Sequence, residues 1–125
     1  GVVMCDFRKI KKIKVKDATI IKKGKKITFI NDTAFCKNAI TLANESDLLI
    51  SEATWEHDRK EKEESEDLKH MSAKEAGELA KASKSKKLIL THFSQRYRTT
   101  DELKKEAKAI FAQTECAKDL ISVDI

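Results

Sequence analysis

The stretch DLLISEAT at residues 47–54 decides the fold, because it joins an apolar run to a run of polar residues. Such a short apolar run is typical of a strand that is covered on both faces. Two similar runs are ITFI at residues 27–30 and LIL at residues 88–90. Helical patterns separate the three runs, and this alternation predicts an α/β fold in which helices cover a sheet.

The helical patterns begin at recognisable capping residues. Asp32 and Thr33 precede an apolar pattern through residues 39–43, which predicts a helix that opens at Asp32. Ser72 and Glu75 have the spacing of a capping box, and Thr100-Asp101 is expected to cap a last helix.

Three further segments complete the predicted order of elements. Residues 7–16 alternate apolar and basic side chains, which indicates a strand or a hairpin with one wet face. Residues 57–69 are charged almost throughout and predict an exposed helix or a solvated loop. Residues 120–125 are expected to form a closing strand.

Composition sets limits on the class of protein. The chain has 125 residues, enough for one domain, and a net charge of +5 from 26 basic and 21 acidic side chains. That excess permits contact with a nucleic-acid backbone, but a solvated lysine-rich surface has the same composition. Without an apolar run of membrane-spanning length or a signal segment, we expect a cytoplasmic protein with no membrane partner. Cys5, Cys36 and Cys116 form no C-x-x-C pair, which predicts reduced and mostly buried thiols.

Four polar residues follow or approach the ends of the predicted strands. Asp32 follows the first strand, Glu52 the second and His92 the third, while His70 precedes the capping-box helix. If the strands are parallel, these side chains share one edge of the sheet, where α/β proteins tend to carry their reactive groups. Each also has a simpler interpretation: a helix cap for Asp32, a surface position for Glu52, and structural roles for both histidines.

The motifs around these four residues resemble those of a known family. NDT at 31–33, DLLISEAT at 47–54, HMSAKEA at 70–76 and LILTHFSQRY at 88–97 occur in the order seen in ribonuclease Z. That family is the tRNA 3′-end-processing branch of the metallo-β-lactamase superfamily, and the resemblance covers residues 25–97. It implies that residues 1–125 are the C-terminal half of a metallo-β-lactamase αββα sandwich, with a mixed sheet covered by helices. It also implies that the complete protein is a zinc-dependent endoribonuclease and a homodimer that removes the 3′ trailer from precursor tRNA.

The resemblance implies a role for each site residue. Asp32 corresponds to the aspartate that bridges two zinc ions, and His92 to a histidine that binds one of them. His70 corresponds to the residue that protonates the leaving oxygen, with Glu52 orienting its ring. Arg96 is a weaker candidate for contact with the RNA, and packing with surface salt bridges explains it equally well.

Departures from the family pattern limit what this chain is expected to do alone. Ser51 stands where the family has histidine, Asn31 stands where it has glycine, and the H-x-H-x-D-H metal motif is absent. With only Asp32 and His92 as metal ligands, the chain is predicted neither to hold two zinc ions nor to cleave RNA. The half-sandwich should expose one bare sheet face, so its missing half lies elsewhere or the half dimerises. Two alternatives stay open: another metallo-β-lactamase-fold phosphodiesterase that acts on small esters, and a non-catalytic α/β interaction module.

Overall fold

The computed structural model describes residues 12–62 and 69–125, and a four-stranded sheet forms their centre. The strands lie side by side in the order β1-β2-β3-β4, and all three pairings are parallel. A mixed sheet was predicted, but no antiparallel pair occurs within these residues. The strands are β1 Ile27–Ile30, β2 Leu48–Glu52, β3 Leu88–Thr91 and β4 Thr114–Cys116.

Helices precede or connect the strands. They are α1 Val15–Ala18, α2 Lys37–Ala43, α3 His57–Lys62, α4 Ala73–Ala82 and α5 Asp101–Ile110. The predicted capping box is present at α4, where the Ser72 side chain accepts from the backbone of Glu75 and the Glu75 side chain accepts from the backbone of Ser72. In the described part of the chain, no helix has the length and apolar character needed to cross a membrane.

The core lies between the sheet and the helices α2, α4 and α5. Each strand pairs with the next one along the chain, so the connecting helices pack on the same face. That face carries every second residue of the strands, including Leu49, Leu88 and Leu90, which are fully buried. Leu79 of α4 and Leu103 of α5 are equally buried against it.

The opposite face of the sheet is partly uncovered, as expected for half of a sandwich. Ile27 and Phe29 of β1 are 56% and 59% exposed. Towards β3 the face is closed, and Ile89 is buried beside the C-terminal segment. Lys87 donates to the backbone carbonyl of Asp124 over 2.6 Å, which fastens that segment to the sheet. The bare surface is therefore concentrated at β1.

Helices α4 and α5 approach each other closely at Gly77. A Cβ atom built on Gly77 would lie 2.9 Å from the carbonyl oxygen of Ala107 and 3.3 Å from Cβ of Ile110. Real Cβ atoms essentially never lie so close to a backbone oxygen. Glycine at this position therefore permits the crossing of the two helices.

Several predicted elements are wrong or shifted. Helix α2 begins at Lys37 instead of Asp32, because Asp32 has a φ of 57° and Cys36 is extended. Asp32 is thus not a helix cap. Thr100 precedes α5 but makes no side-chain capping bond. Of the segment 7–16, residues 7–11 lie outside the described residues, and Val15 begins a short helix that buries none of its residues.

The closing strand was predicted at residues 120–125 but lies earlier in the chain. It is Thr114–Cys116, which alternates buried, exposed and buried residues next to β3, whereas Leu120 is fully exposed. Three partly polar residues carry too weak a pattern to indicate a strand.

Cys116 is buried and burial raises the pKa of its thiol, but Cys36 is exposed, contrary to the prediction of mostly buried thiols. Cys5 lies outside the described residues.

Candidate metal and catalytic site

The carboxyl edge of the sheet gathers the four predicted site residues. Asp32 follows β1, Glu52 ends β2 and His92 follows β3, and the parallel register brings these three strand ends together. His70 reaches the same edge from the segment between α3 and α4, with its Nδ1 atom 3.6 Å from Oδ1 of Asp32. The expected sharing of one edge is confirmed.

Glu52 lies at the centre of this cluster, and its side chain is fully buried. Its Oε1 atom accepts from the backbone N–H of Thr33. Its Oε2 atom accepts from the hydroxyl of Thr54 over 2.9 Å and lies 2.9 Å from Nδ1 of His70. The surface interpretation of Glu52 is therefore wrong. A buried carboxylate is costly unless hydrogen-bonded, and these donors offset that cost.

The contact with Glu52 sets the tautomer of His70. A carboxylate accepts hydrogen bonds, so the Nδ1 atom of His70 carries the hydrogen in this contact. The Nε2 atom then keeps its lone pair in the neutral ring. The side chain is 23% exposed, so solvent and ligands can reach it.

Thr54 sets the tautomer of His92, as Glu52 sets that of His70. Its hydroxyl lies 3.1 Å from Nδ1 of His92, and its single hydrogen is taken by two acceptors, the Glu52 carboxylate at 2.9 Å and the backbone carbonyl of His92 at 3.1 Å. It therefore accepts from Nδ1–H of His92, and Nε2 of that ring keeps its lone pair. The rings of His70 and His92 are 5.3 Å apart between centroids. No role was predicted for Thr54 from the sequence, although it lies in the EAT motif two residues after Glu52.

Three side chains of the cluster can act as metal ligands. One donor atom each from Asp32, His70 and His92 lie within 4.8 Å of one another. A catalytic zinc commonly takes three protein ligands and a water molecule. The described residues of this edge therefore fit one ion, whereas two ions need more ligands than these three. Proximity thus adds His70 as a possible third ligand, and the assignment of Asp32 and His92 as metal ligands stays a prediction.

The backbone at two of these ligands is unusual. Asp32 has a φ of 57° and His92 a φ of 55°, in the left-handed region that side chains other than glycine rarely adopt. Such conformations persist where the surrounding structure imposes them and occur often at binding sites. Asn31, where the ribonuclease Z pattern has glycine, is not among the positive-φ residues. The turn therefore does not need glycine at that position.

Ser51 takes no part in the cluster. The register pairs it with Ile30 and Leu90, on the face that the helices cover. Its hydroxyl donates to the backbone carbonyl of Glu52 over 3.2 Å. The adjacent residue Glu52 points to the other side, as successive residues of a strand do.

Backbone hydrogen bonds join the segments that carry Glu52 and His70. The N–H of Thr54 donates to the carbonyl of Met71 over 3.0 Å, and the N–H of Ala73 donates to the carbonyl of Trp55 over 2.8 Å. The N–H of Ser94 donates to the carbonyl of Thr54 over 3.1 Å, which brings in the segment after His92. The site is therefore supported by the backbone as well as by side chains.

Arg96, the weaker candidate for substrate contact, lies beside an aromatic cluster. Its guanidinium carbon is 5.4 Å from the centre of the Trp55 ring, and Arg59 lies 5.3 Å from that of Tyr97. The Tyr97 hydroxyl accepts from the N–H of Glu56 over 2.9 Å. The contact of Arg96 with the Trp55 ring agrees with the packing interpretation. Contact of Arg96 with RNA stays a prediction.

Glu106 supports the site from helix α5. Its carboxylate accepts from the backbone N–H of His57 over 3.0 and 3.2 Å and from that of Lys74 over 2.9 Å. It thus caps the first turns of α3 and α4. Burial raises the pKa of Glu106, and the two N–H donors oppose that rise. His57 itself is outside the Asp32–His70–His92 cluster, and its Nδ1 atom lies 3.3 Å from the Ser72 hydroxyl.

Comparison with known proteins agrees with this fold. The family model described as beta-lactamase superfamily domain matches residues 17–93, and the chain belongs to that superfamily. Within it, the chain is similar to proteins named Ribonuclease Z. It is 42% identical to that of Picosynechococcus over 107 residues, which cover 82% of this chain and 33% of that protein. It is 41% identical to that of Protochlamydia amoebophila, over 85% of this chain and 34% of that protein. The chain thus spans about a third of the length of these curated relatives.

Two solved structures share the fold. The metallo-beta-lactamase fold protein YhfI from Bacillus subtilis has a TM-score of 0.62 and 29% identity, over 74% of this chain and 36% of that chain. Human tRNase Z, short form, has a TM-score of 0.59 and 31% identity, over 82% of this chain and 35% of that chain. The resemblance inferred from the motifs is therefore confirmed at the level of sequence and fold.

Proposed function

We propose that this chain is the C-terminal part of a metal-dependent endoribonuclease that removes the 3′ trailer from precursor tRNA. The observation that carries the proposal is the Glu52–His70 pair beside Asp32 and His92 on the carboxyl edge of the sheet. The similarity to proteins named Ribonuclease Z and to human tRNase Z supports the choice of substrate. The small excess of basic side chains is compatible with a polyanionic partner.

In this proposal His70 is the proton donor. Hydrolysis of a phosphodiester forms a bond from a water oxygen to phosphorus and breaks the bond to the leaving oxygen, which then needs a proton. With its Nδ1–H bonded to Glu52, the protonated form of the ring carries its second proton on Nε2; it donates this proton to the leaving oxygen and returns to the neutral Nδ1–H form. Glu52 is a positioning residue, because burial and three further polar neighbours hold its carboxylate in place. A bound divalent metal would stabilise negative charge that develops on the phosphate.

The chain alone is proposed to be inactive. Because His70 is the proton donor in this proposal, Asp32 and His92 are the ligands that this cluster would contribute, and two ligands leave a two-ion site incomplete. The remaining ligands would come from the two thirds of the relatives that this chain does not match. Zinc as the metal, a homodimer of the complete enzyme and a cytoplasmic location stay predictions.

A chimera tests this proposal. This chain replaces the matching segment of the Bacillus cereus ribonuclease Z, to which it is 40% identical over 105 residues. We expect the chimera to cleave precursor tRNA at its 3′ end. In the chimera, His70→Ala should lower kcat by about 10²- to 10⁴-fold while bound metal is retained. His57→Ala is the matched control and should have little effect, since His57 lies outside the cluster.

Three results would argue against the proposal. Equal loss of metal and activity in His70→Ala would contradict a role as proton donor in the complete enzyme. Cleavage of bis(p-nitrophenyl) phosphate without cleavage of precursor tRNA would favour the phosphodiesterase of small esters. A folded chimera that binds RNA, loses affinity steeply with salt and cleaves neither substrate would favour the non-catalytic module.

A further inference from the structure

We infer that the edge of the sheet at which the strands begin, opposite the candidate metal and catalytic site, binds the phosphate backbone of RNA. A cleft of about 260 Å³ lies at this edge and is called the lysine cleft. It is lined by four lysines and two carboxylates, which are Lys23, Lys25, Lys84, Lys86, Glu45 and Asp47. The choice of RNA as the ligand rests on the proposed function, whereas the cleft itself is formed by residues of this chain.

The parallel sheet explains why these lysines lie together. Residues 22–26, KKGKK, lead into β1, and residues 84–87, KSKK, lead into β3. Because β2 pairs with both strands in parallel, the two segments lie at the same edge, on either side of the segment before β2. That middle segment carries Glu45 and Asp47. The edge is therefore basic, acidic and basic in turn.

Backbone hydrogen bonds hold the three segments in a fixed arrangement. The N–H of Asp47 donates to the carbonyl of Lys26 over 2.9 Å, which joins the segments before β1 and β2. The N–H of Lys86 donates to the carbonyl of Ser46 over 2.9 Å, which joins the segments before β2 and β3. A ligand therefore meets a surface that is already formed, and little loss of backbone entropy opposes its binding.

Asp47 orients the lysines at the centre of the cleft. Its carboxylate accepts from the ammonium group of Lys86 over 2.7 Å and from the backbone N–H of Lys26 over 2.8 Å. These two hydrogen bonds lower the pKa of Asp47 to about 2, so the carboxylate stays charged at neutral pH. An ammonium group has three hydrogens to donate, and the Lys86 side chain is 71% exposed. Lys86 therefore keeps donors for a ligand.

Lys23 and Lys84 are the lysines of the cleft that are available to a ligand without breaking an ion pair. Both residues are exposed, and the ion pairs found within residues 12–62 and 69–125 involve neither of them. They belong to the two basic segments on either side of the acidic one, so a ligand that meets both must extend across the edge. A chain of phosphates can do so, because each lysine binds a phosphate as a point charge.

The lining of the cleft favours the backbone of RNA over its bases. None of the described residues that line it is aromatic, so it offers no ring on which a base could stack. A single strand can enter a recessed cleft, whereas a membrane surface would meet only the projecting ends of the lysines. Strands of four or five residues separate the cleft from the candidate site by about 15 Å. The cleft would therefore hold RNA away from the reacting phosphate.

The test is the binding of a fluorescein-labelled oligouridylate to the full 125-residue chain, followed by fluorescence anisotropy at several salt concentrations. The double variant Lys23→Ala/Lys84→Ala removes both of these lysines. At about 50 mM salt it should bind about 10- to 60-fold more weakly than the wild type. The slope of the logarithm of affinity against the logarithm of salt concentration should become shallower by about 1.4, because two phosphate contacts are lost. Lys105→Ala/Lys118→Ala, which removes two exposed lysines elsewhere, should leave both quantities nearly unchanged.

A variant that removes negative charge from the same cleft should act in the opposite direction. Glu45→Gln should tighten binding of the oligouridylate by about 2- to 5-fold, because a carboxylate that repels phosphate is lost. Glu102→Gln, at an exposed position of α5, is the matched control and should leave the affinity unaltered. Loss of structure would weaken binding, so a gain in affinity distinguishes local charge from an effect on folding.

Equal losses of affinity in the cleft variant and in the lysine control would overturn the inference, as would the absence of binding at about 50 mM salt. Equal or tighter binding of polyglutamate, or of vesicles that contain phosphatidylserine, would show that RNA is not the ligand. Cleavage of precursor tRNA by the chimera is measured separately. Cleavage together with a cleft that does not bind RNA defeats this inference alone, whereas RNA binding at the cleft without cleavage defeats the proposed function alone.

Discussion

The Oε2 atom of Glu52 lies 2.9 Å from the Nδ1 atom of His70, although β2 carries one residue and the segment before α4 carries the other. Glu52 is fully buried, and its second oxygen is engaged by the N–H of Thr33. This pair links three segments of the carboxyl edge, and the placement of His70 depends on it.

Replacing Glu52 by glutamine should change the tautomer of His70. A glutamine amide presents a donor as well as an acceptor, and its NH₂ group can face Nδ1 of the ring. We expect the Nδ1–H form of the wild-type chain to give way to the Nε2–H form. Long-range ¹H–¹⁵N correlation spectra of the imidazoles measure this directly. Glu102→Gln, at an exposed position of α5, should leave the His70 spectrum unaltered.

Gly77→Ala should destabilise the fold even though alanine is the better helix former. Alanine gains about 1 kcal/mol in helix propensity, but its Cβ would lie 2.9 Å from the Ala107 carbonyl oxygen. We expect a net loss of about 1–3 kcal/mol in the free energy of unfolding, because α4 and α5 must move apart. Urea denaturation measures the loss. Gly24→Ala is the control, since a Cβ there meets nothing within 4 Å, and an equal loss in both variants would contradict the steric cause.

Glu106→Ala should destabilise the chain by about 1–3 kcal/mol in the free energy of unfolding. The carboxylate accepts from the N–H groups of His57 and Lys74, and alanine leaves the first turns of α3 and α4 without these bonds. Thermal or urea unfolding measures the effect. Lys105→Ala removes an exposed neighbour on the same helix and should change stability by less than about 0.5 kcal/mol. Comparable loss in the two variants would exclude capping as the cause.

Asp47 should make stability depend on acid pH. Its hydrogen bond to Lys86, together with the one from the Lys26 N–H, lowers the pKa of Asp47 to about 2. A carboxylate whose pKa is lowered in the folded state stabilises it above its ordinary value, and this contribution is lost as the pH falls from about 4 to about 2. Asp47→Asn should therefore be less stable than the wild type at pH 6, and the difference should shrink towards pH 2.

Urea denaturation at several pH values tests this dependence on Asp47. Asp119→Asn, at an exposed position, is the matched control and should show a difference that varies little with pH. A stability gap between Asp47→Asn and the wild type that stays constant from pH 6 to pH 2 would refute the assigned cause.

The amino-acid sequence by itself determined the strands β1, β2 and β3, the capping box at Ser72 and the set of residues at the strand ends. Each of these is a local signal, because apolar runs and caps are set by neighbours along the chain. The family motifs around Glu52 and His70 added the expectation that the two residues interact. The strand Thr114–Cys116 was not predicted, because it has three residues, of which only the first and the last are buried, and so short a pattern carries almost no periodic signal.

Only the tertiary structure decided how these residues combine into a site. The parallel register of β1, β2 and β3 and the bonds between the Thr54 and Met71 segments determine which side chains meet. They bury Glu52, bring Thr54 to His92 and make His70 a third potential ligand beside Asp32. No local pattern encodes these relations, because each is a hydrogen bond or an approach between residues that are distant in the chain and close only after the sheet has formed.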